Sequence, residues 1–210
     1  MFPGLYAILD AGPGGDANLA LAKTLAASGV QLIQLRDKSG SSRRIYETSL
    51  RWTKTLSASD VRLIVNDRPD IAAMSGAGGV HVGQEDLPVE AARKLSGARR
   101  WVGVSTHNLE QLREAALTSA DYIAVGPIFP TAMKQNPDPV VGLELLRAGR
   151  RLTEKPLVAI GGITIESAEA VFRAGADSVA VIRDLVTAAD PGRRAREFLD
   201  VAAQAHTRRN

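Results

Sequence analysis

From one end of the chain to the other, short apolar runs rich in Val and Ile alternate with longer segments whose apolar residues recur at helical spacing. Eight such runs are legible: Leu5–Leu9, Leu32–Leu35, Leu63–Val65, Val80–Val82, Trp101–Val104, Tyr122–Val125, Leu157–Ile160 and Val179–Ile182. Strands separated by helices cannot pair as hairpins. They lie parallel, joined by right-handed crossovers, and eight units close most naturally into a barrel. The expected fold is therefore α/β, a single (β/α)8 TIM barrel over residues 1–210. An open doubly wound sheet is the rival. Against it, Ala11-Gly12-Pro13-Gly14-Gly15 after the first strand lacks the G-x-G-x-x-G spacing and contains a proline, so it reads as a loop into the first helix. In that helix Leu19, Ala22, Leu25 and Ala26 share one face, and Gly29 stands where a left-handed residue would end it. Related helix-to-strand junctions recur at Gly76-Ala77-Gly78-Gly79, Ser119-Ala120-Asp121 and Gly175-Ala176-Asp177, a weak internal repeat.

A length of 210 residues suits one such domain and leaves no room for a second. The hydrophobic share of 45% with only 4% aromatic residues describes an Ala, Val, Leu and Ile core, as parallel strands covered by helices require. With no cysteine, disulfides and thiolate chemistry are excluded, in keeping with a cytoplasmic setting. Neither a secretory leader nor an apolar stretch of membrane-spanning length is present in the sequence, so no membrane partner is expected. The net charge is only +3, and part of the excess lies at Arg193, Arg194, Arg196, Arg208 and Arg209 near the C-terminus. No basic stripe is interleaved with stacking aromatics, so nucleic acid is not an expected partner either.

In a barrel of this kind the chemistry belongs at the C-terminal ends of the strands. Gln34, Arg36, Asp37 and Lys38 follow the second run, Asn66, Asp67 and Arg68 the third, and Gln84, Glu85 and Asp86 the fourth. Ser105, Thr106 and His107 follow the fifth, Thr131 and Lys134 the sixth, and Gly161 and Gly162 the seventh. The cations Arg36, Lys38 and Lys134 suit a polyanion. Asp67 and Asp86 would repel each other unless something positive lay between them, and Mg2+, which takes oxygen ligands, resolves that conflict. The rim thus reads as a magnesium diphosphate site. A second anion site is expected at the Gly161-Gly162 turn and the short turn after the eighth strand, through backbone N–H groups. The competing structural readings are that Asp67 and Asp86 cap helices ahead of Pro69 and Pro88, that His81 is a packed core histidine, and that His107 merely begins a helix.

Taken in order, Gln34-Leu35-Arg36-Asp37-Lys38, Asn66-Asp67-Arg68, Val80-His81-Val82-Gly83-Gln84-Glu85-Asp86-Leu87-Pro88 and Gly103-Val104-Ser105 resemble the thiamine-phosphate synthase family. So do Gly126-Pro127-Ile128-Phe129-Pro130-Thr131 with Lys134, Ala159-Ile160-Gly161-Gly162-Ile163-Thr164 and Gly175-Ala176-Asp177-Ser178-Val179, and together the matches cover nearly the whole chain. The resemblance implies a transferase that joins a hydroxymethylpyrimidine diphosphate to a thiazole phosphate, releasing pyrophosphate, with Mg2+ as cofactor. It implies that Gln34, Leu35, Arg36, Asp37, Lys38, Asn66, Ser105 and Lys134 hold the pyrimidine diphosphate, that Asp67 and Asp86 hold the metal, and that Arg36, Lys38, Ser105 and Lys134 act in catalysis. It also implies a thiazole phosphate pocket at Thr131, Ala132, Met133, Gly162, Ile182 and Arg183.

Two departures fall in that second pocket. The family usually has Thr-x-Thr-Lys where this chain reads Thr131-Ala132-Met133-Lys134, and commonly has Ser where this chain has Arg183. A hydroxyl contact is lost, and Arg183 is expected to offset it by pairing with the thiazole phosphate. Gly78, where the family often has Asp, is a turn variation. A thiazole tautomerase of the same superfamily, with His107 as acid or base, is the nearest alternative. A barrel that binds a thiamine precursor without catalysis is another. Oligomeric state is left open by the sequence, a homo-oligomer included.

Overall fold

The computed structural model describes residues 2–12, 17–130 and 139–208. Strands β1 (Leu5–Asp10), β2 (Leu32–Arg36), β3 (Arg62–Asn66), β4 (Gly79–Val82), β5 (Trp101–Thr106), β6 (Tyr122–Val125), β7 (Leu157–Ile160) and β8 (Ser178–Val181) pair in sequence order, and β1 pairs with β8 to close the barrel. All eight pairings are parallel. The helices between them are α1 (Leu19–Ala27), α2 (Ser42–Leu56), α3 (Pro69–Ser75), α4 (Val89–Ser96), α5 (Leu109–Leu117), α6 (Gly142–Leu152) and α7 (Ile165–Arg173). After β8 come the single turn α8 (Arg183–Val186) and the long α9 (Pro191–Thr207). Among the described residues no helix is long and apolar enough to cross a membrane.

Strand alternation divides the core in two. Outward residues such as Ile33, Leu35, Val65, Val102 and Val179 pack under the helices, together with Trp52, Phe172 and Phe198. Inward residues Tyr6, Ile8, Leu32, Ile64, Tyr122, Ala124, Val158 and Ala180 fill the barrel. The N-terminal end is plugged by rings: Phe2 stacks on Trp101 at 5.1 Å, and the Arg62 guanidinium lies 4.1 Å above Trp101. With one end filled, the open end of the interior is the end the strands point toward.

The expected strands agree with the structure to within a residue or two, and Gly29 takes the left-handed conformation (φ 94) that ends α1. The eighth strand starts and stops one residue earlier than expected. Its pairing with β1 ends at Val181 opposite Ala7, and Ile182 (φ −116, ψ −77) turns away to open α8.

Inside the barrel the close fit depends on a missing side chain. Gly103 on β5 lies in register with Tyr122 on β6, and a Cβ at Gly103 would fall 2.0 Å from the Tyr122 ring. Tyr122 is fully buried and contacts Phe2, Tyr6, His81 and Trp101. Gly103→Ala is therefore expected to destabilise the fold by about 2–3 kcal/mol through overpacking, read as a lower urea midpoint at unchanged slope.

Candidate active site

At the mouth of the barrel, the chain leaving β3 turns sharply. Asp67 has a left-handed backbone (φ 62), the only such non-glycine among the described residues, and its N–H donates to the His81 carbonyl at 2.7 Å. Aspartate tolerates this conformation better than most residues. The turn presents the Asp67 carboxylate to Lys38, whose Nζ lies 2.5 Å from Oδ2. From the next loop Asp86 approaches the same place, its Oδ2 accepting from the Gly83 N–H at 2.7 Å. Neither aspartate caps the helix that follows: α3 is preceded by Arg68 and α4 by Pro88.

The two carboxylates influence each other. Burial pushes the Asp86 carboxyl above its ordinary range; the Gly83 N–H opposes the rise, the adjacent Asp67 adds to it, and Lys38 partly relieves it. A divalent cation would reverse that like-charge effect. Among the described residues no three His, Cys, Asp or Glu side chains converge on a metal position. Two carboxylates completed by substrate oxygens and water are nonetheless the donor set Mg2+ accepts, so Asp67 and Asp86 fit that ion.

The other expected residues divide into three groups. Gln34, Asn66 and Ser105 stand on inward positions of β2, β3 and β5, in line with Leu32, Ile64 and Trp101, and share the mouth with Lys38, Asp67 and Asp86. Arg36 closes the same rim but is paired with Asp10, its register partner on β1, at 2.7 Å. Leu35 and Asp37 face elsewhere. Leu35 packs beneath the helices. Asp37 is gripped by Arg44 through two hydrogen bonds, Nη2 to Oδ1 at 2.7 Å and Nε to Oδ2 at 3.0 Å. Burial works against the Asp37 charge, yet Arg44 and the Ser39 N–H hold its carboxyl below the usual range. Its role is to shape the loop that carries Lys38. Thr131, Ala132, Met133 and Lys134 lie outside the described residues.

On the opposite side, Gly161 (φ 98) and Gly162 (φ 64) both require glycine. A Cβ on Gly161 would strike Pro127 at 2.6 Å, and one on Gly162 the Pro130 carbonyl at 2.5 Å. The turn after β7 is thus folded tightly under the loop after β6, which is tied to it by Ile128 N–H to the Ile160 carbonyl and Phe129 N–H to the Gly161 carbonyl. Arg183 is exposed at the first position of α8. Asp184 beside it accepts from the Ile165 N–H at the start of α7 and pairs with Arg194 at 2.6 Å. His107 is bonded through Nδ1 to the Gly126 carbonyl at 2.7 Å.

Beneath the mouth runs a feature the strand-end reading missed. Gln34 Nε2 donates to the Tyr6 hydroxyl at 2.7 Å, Tyr6 and Tyr122 hydroxyls lie 3.0 Å apart, Tyr122 reaches His81 Nδ1 at 3.0 Å, and His81 Nε2 lies 2.9 Å from Ser105 Oγ. His81 is a buried histidine of the interior, as expected, but both ring nitrogens are engaged. The signal was available in the alternation: Tyr6 and Tyr122 occupy inward positions where an apolar barrel has no need of a hydroxyl.

Burial lowers the His81 pKa from 6.5 to about 4, with Asp86 opposing and Lys38 assisting. Because the folded value is depressed, the unfolded chain binds the proton first. Stability from this group is fully present above pH 6.5 and is lost as pH falls toward 4. In urea unfolding between pH 7 and 4, His81→Asn should remove on the order of 3 kcal/mol of the pH dependence shown by the parent protein.

The chain is similar to known proteins along nearly its whole length. Residues 5–185 match the family model described as Thiamine monophosphate synthase. The chain is 53% identical over 204 residues to the thiamine-phosphate synthase of Koribacter versatilis (strain Ellin345), covering 95% of each. It is 42% identical over 195 residues to that of Chloroflexus aurantiacus, covering 92% of this chain and 90% of the relative. Among solved structures, thiamine phosphate pyrophosphorylase from Pyrococcus furiosus superposes with a TM-score of 0.86 at 31% identity, covering 96% of both chains.

Proposed function

The chain belongs to the thiamine monophosphate synthase family, and from that premise we propose how the mouth of its barrel performs the reaction. The protein is a transferase, a thiamine-phosphate synthase, that condenses hydroxymethylpyrimidine diphosphate with thiazole phosphate. The observation that carries the assignment of the diphosphate side is the meeting of Asp67, Asp86 and Lys38 above the inward residues Gln34, Asn66 and Ser105.

Gln34 and Asn66 hold the aminopyrimidine, while Lys38, Arg36, Ser105 and Lys134 bind the diphosphate. Asp67 and Asp86 would hold Mg2+, which would supply neutralisation of diphosphate charge. Lys38 has a double role: it balances Asp67 before substrate arrives and turns to the diphosphate afterwards. The bond between the pyrimidine methylene and the diphosphate oxygen breaks, its electron pair leaving with pyrophosphate. Positive charge on the methylene is shared by the electron-rich aminopyrimidine. The thiazole nitrogen then supplies its lone pair to the methylene carbon, giving thiamine phosphate. No covalent bond to the protein forms, and the contribution of these side chains is charge stabilisation and positioning.

The thiazole phosphate lies toward Gly162, Ile182, Arg183 and the segment Thr131, Ala132 and Met133. In this reading Arg183 replaces a hydroxyl by a charged fork. The tautomerase alternative makes no use of the Asp67, Asp86 and Lys38 cluster, and the relatives are synthases.

Purified protein with both substrates and Mg2+ should release thiamine phosphate and pyrophosphate, with Asp86→Ala and Lys134→Ala each reducing turnover by ~100-fold or more. Thiamine phosphate formed equally well by both variants would refute the diphosphate site. Arg183→Ala should raise KM for thiazole phosphate about tenfold and leave KM for the pyrimidine diphosphate alone. An unchanged KM for thiazole phosphate would remove Arg183 from the pocket.

A further inference from the structure

We infer that the buried line from Gln34 through Tyr6, Tyr122 and His81 to Ser105 is polarised in one direction, and that it turns the Ser105 hydroxyl hydrogen outward as a donor to the substrate. The inference rests on the proposed function only for what that hydrogen meets.

Counting hydrogens fixes the direction. Gln34 Nε2 donates to Tyr6 Oη. A phenol has a single hydrogen. Tyr6 is fully buried, so its hydrogen is directed to its other partner, Tyr122 Oη. Tyr122 is equally buried and receives that hydrogen, so its own passes to His81 Nδ1. A ring nitrogen that accepts carries no proton, which leaves the neutral imidazole with its hydrogen on Nε2. Nε2–H therefore donates to Ser105 Oγ at 2.9 Å. The serine oxygen is the acceptor in that bond, and its hydrogen must point to something other than the ring.

The outcome matters because serine beside histidine has two opposite uses. If the ring nitrogen accepted, the serine hydrogen would point inward, the arrangement that activates a nucleophile. With the ring donating, the serine is a hydrogen-bond donor instead, suited to an oxygen on which negative charge develops. Tyr6, Tyr122 and His81 act as positioning residues that select the second use. The same line orients the Gln34 amide, its nitrogen turned inward to Tyr6, so two residues of the mouth on β2 and β5 are set by one chain of bonds through β1, β6 and β4.

The test reads the tautomer directly. The chain has three histidines, so long-range proton–nitrogen correlation spectra of the nitrogen-labelled protein are simple to assign. His81 should be the Nε2–H tautomer in the parent protein. Tyr122→Phe removes the donor to Nδ1, so the population should move toward Nδ1–H, with Ser105 now donating into the ring. In the same variant kcat should fall at least about tenfold with a smaller change in KM for the pyrimidine diphosphate, and adding Ser105→Ala should slow it no further than Ser105→Ala alone. Tyr6→Phe, which deletes an equally buried hydroxyl but leaves Tyr122 bonded to His81, should keep the Nε2–H form. Its loss in both variants would signal a general loosening of the interior and overturn the inference. So would an Nδ1–H ring in the parent protein, which would mean that the Gln34 amide oxygen faces Tyr6 and the whole line runs backwards. A tautomer that switches in Tyr122→Phe while kcat stays unchanged would overturn the link to catalysis. The spectra need no substrate, so a protein with the expected tautomer that makes no thiamine phosphate would count against the proposed function and leave the polarised line standing.

Discussion

Closing eight parallel strands buries their inward side chains, and a polar atom placed among them is costly unless it finds a partner within the barrel. The hydroxyls of Tyr6 and Tyr122 and the ring of His81 meet this demand by bonding to one another. Burial pushes both phenols strongly toward their neutral forms and holds the imidazole neutral as well. A network of neutral groups carries none of the desolvation penalty of buried ions. It supports a polar site from below, with the apolar side chains of Leu32, Ile64, Val158 and Ala180 around it. The space for this network depends on Gly103, whose missing side chain leaves room for the Tyr122 ring.

The charges of Lys38 and Asp67 lie at the rim, open to solvent. Lys38 is exposed, and its pair with Asp67 contributes little to folding by itself. Its effect is local: Lys38 eases the charge of two close carboxylates. Asp86 remains raised despite Lys38, so the cluster holds repulsion that substrate and cation together would release. Arg36 and Asp37 show a different use of charge. Each is already paired, with Asp10 and Arg44, and these pairs hold β1 to β2 and fix the loop after β2. That loop carries Lys38, whose ammonium meets Asp67.

Much of this was legible in the sequence because barrel logic converts strand ends into addresses. The run Leu32–Leu35 located Gln34 and Lys38, and Leu63–Val65 located Asn66 and Asp67, since each strand begins and ends within two residues of its apolar run. The direction in which each side chain points was less legible. Leu35 and Asp37 belong to the family motif, yet alternation puts Leu35 under the helices and Arg44, seven residues on, takes Asp37. Helix capping was the wrong structural reading of Asp67 and Asp86, because the caps are set by the backbone at Arg68 and Pro88. The Tyr6 to Ser105 line was hidden for another reason: its bonds join residues up to 116 positions apart, and only the closed barrel brings them into contact.

The two sides of the mouth were not equally readable, and the difference has a physical origin. The side proposed for the diphosphate is written in polar side chains, whose chemistry is specific to residue type, and it is backed by hydrogen bonds through β1, β2, β4, β5 and β6. The side proposed for the thiazole phosphate is, among the described residues, formed largely by backbone. Gly161 and Gly162 are demanded by the close passage of Pro127 and Pro130, a packing requirement that glycine would satisfy with or without a ligand. The N–H at the start of α7 is already held by Asp184, which is itself paired with Arg194. On such a scaffold one side chain can change the character of the pocket without disturbing the fold. Arg183, exposed on a single helical turn and outside the closed sheet, stands at a position where that freedom exists.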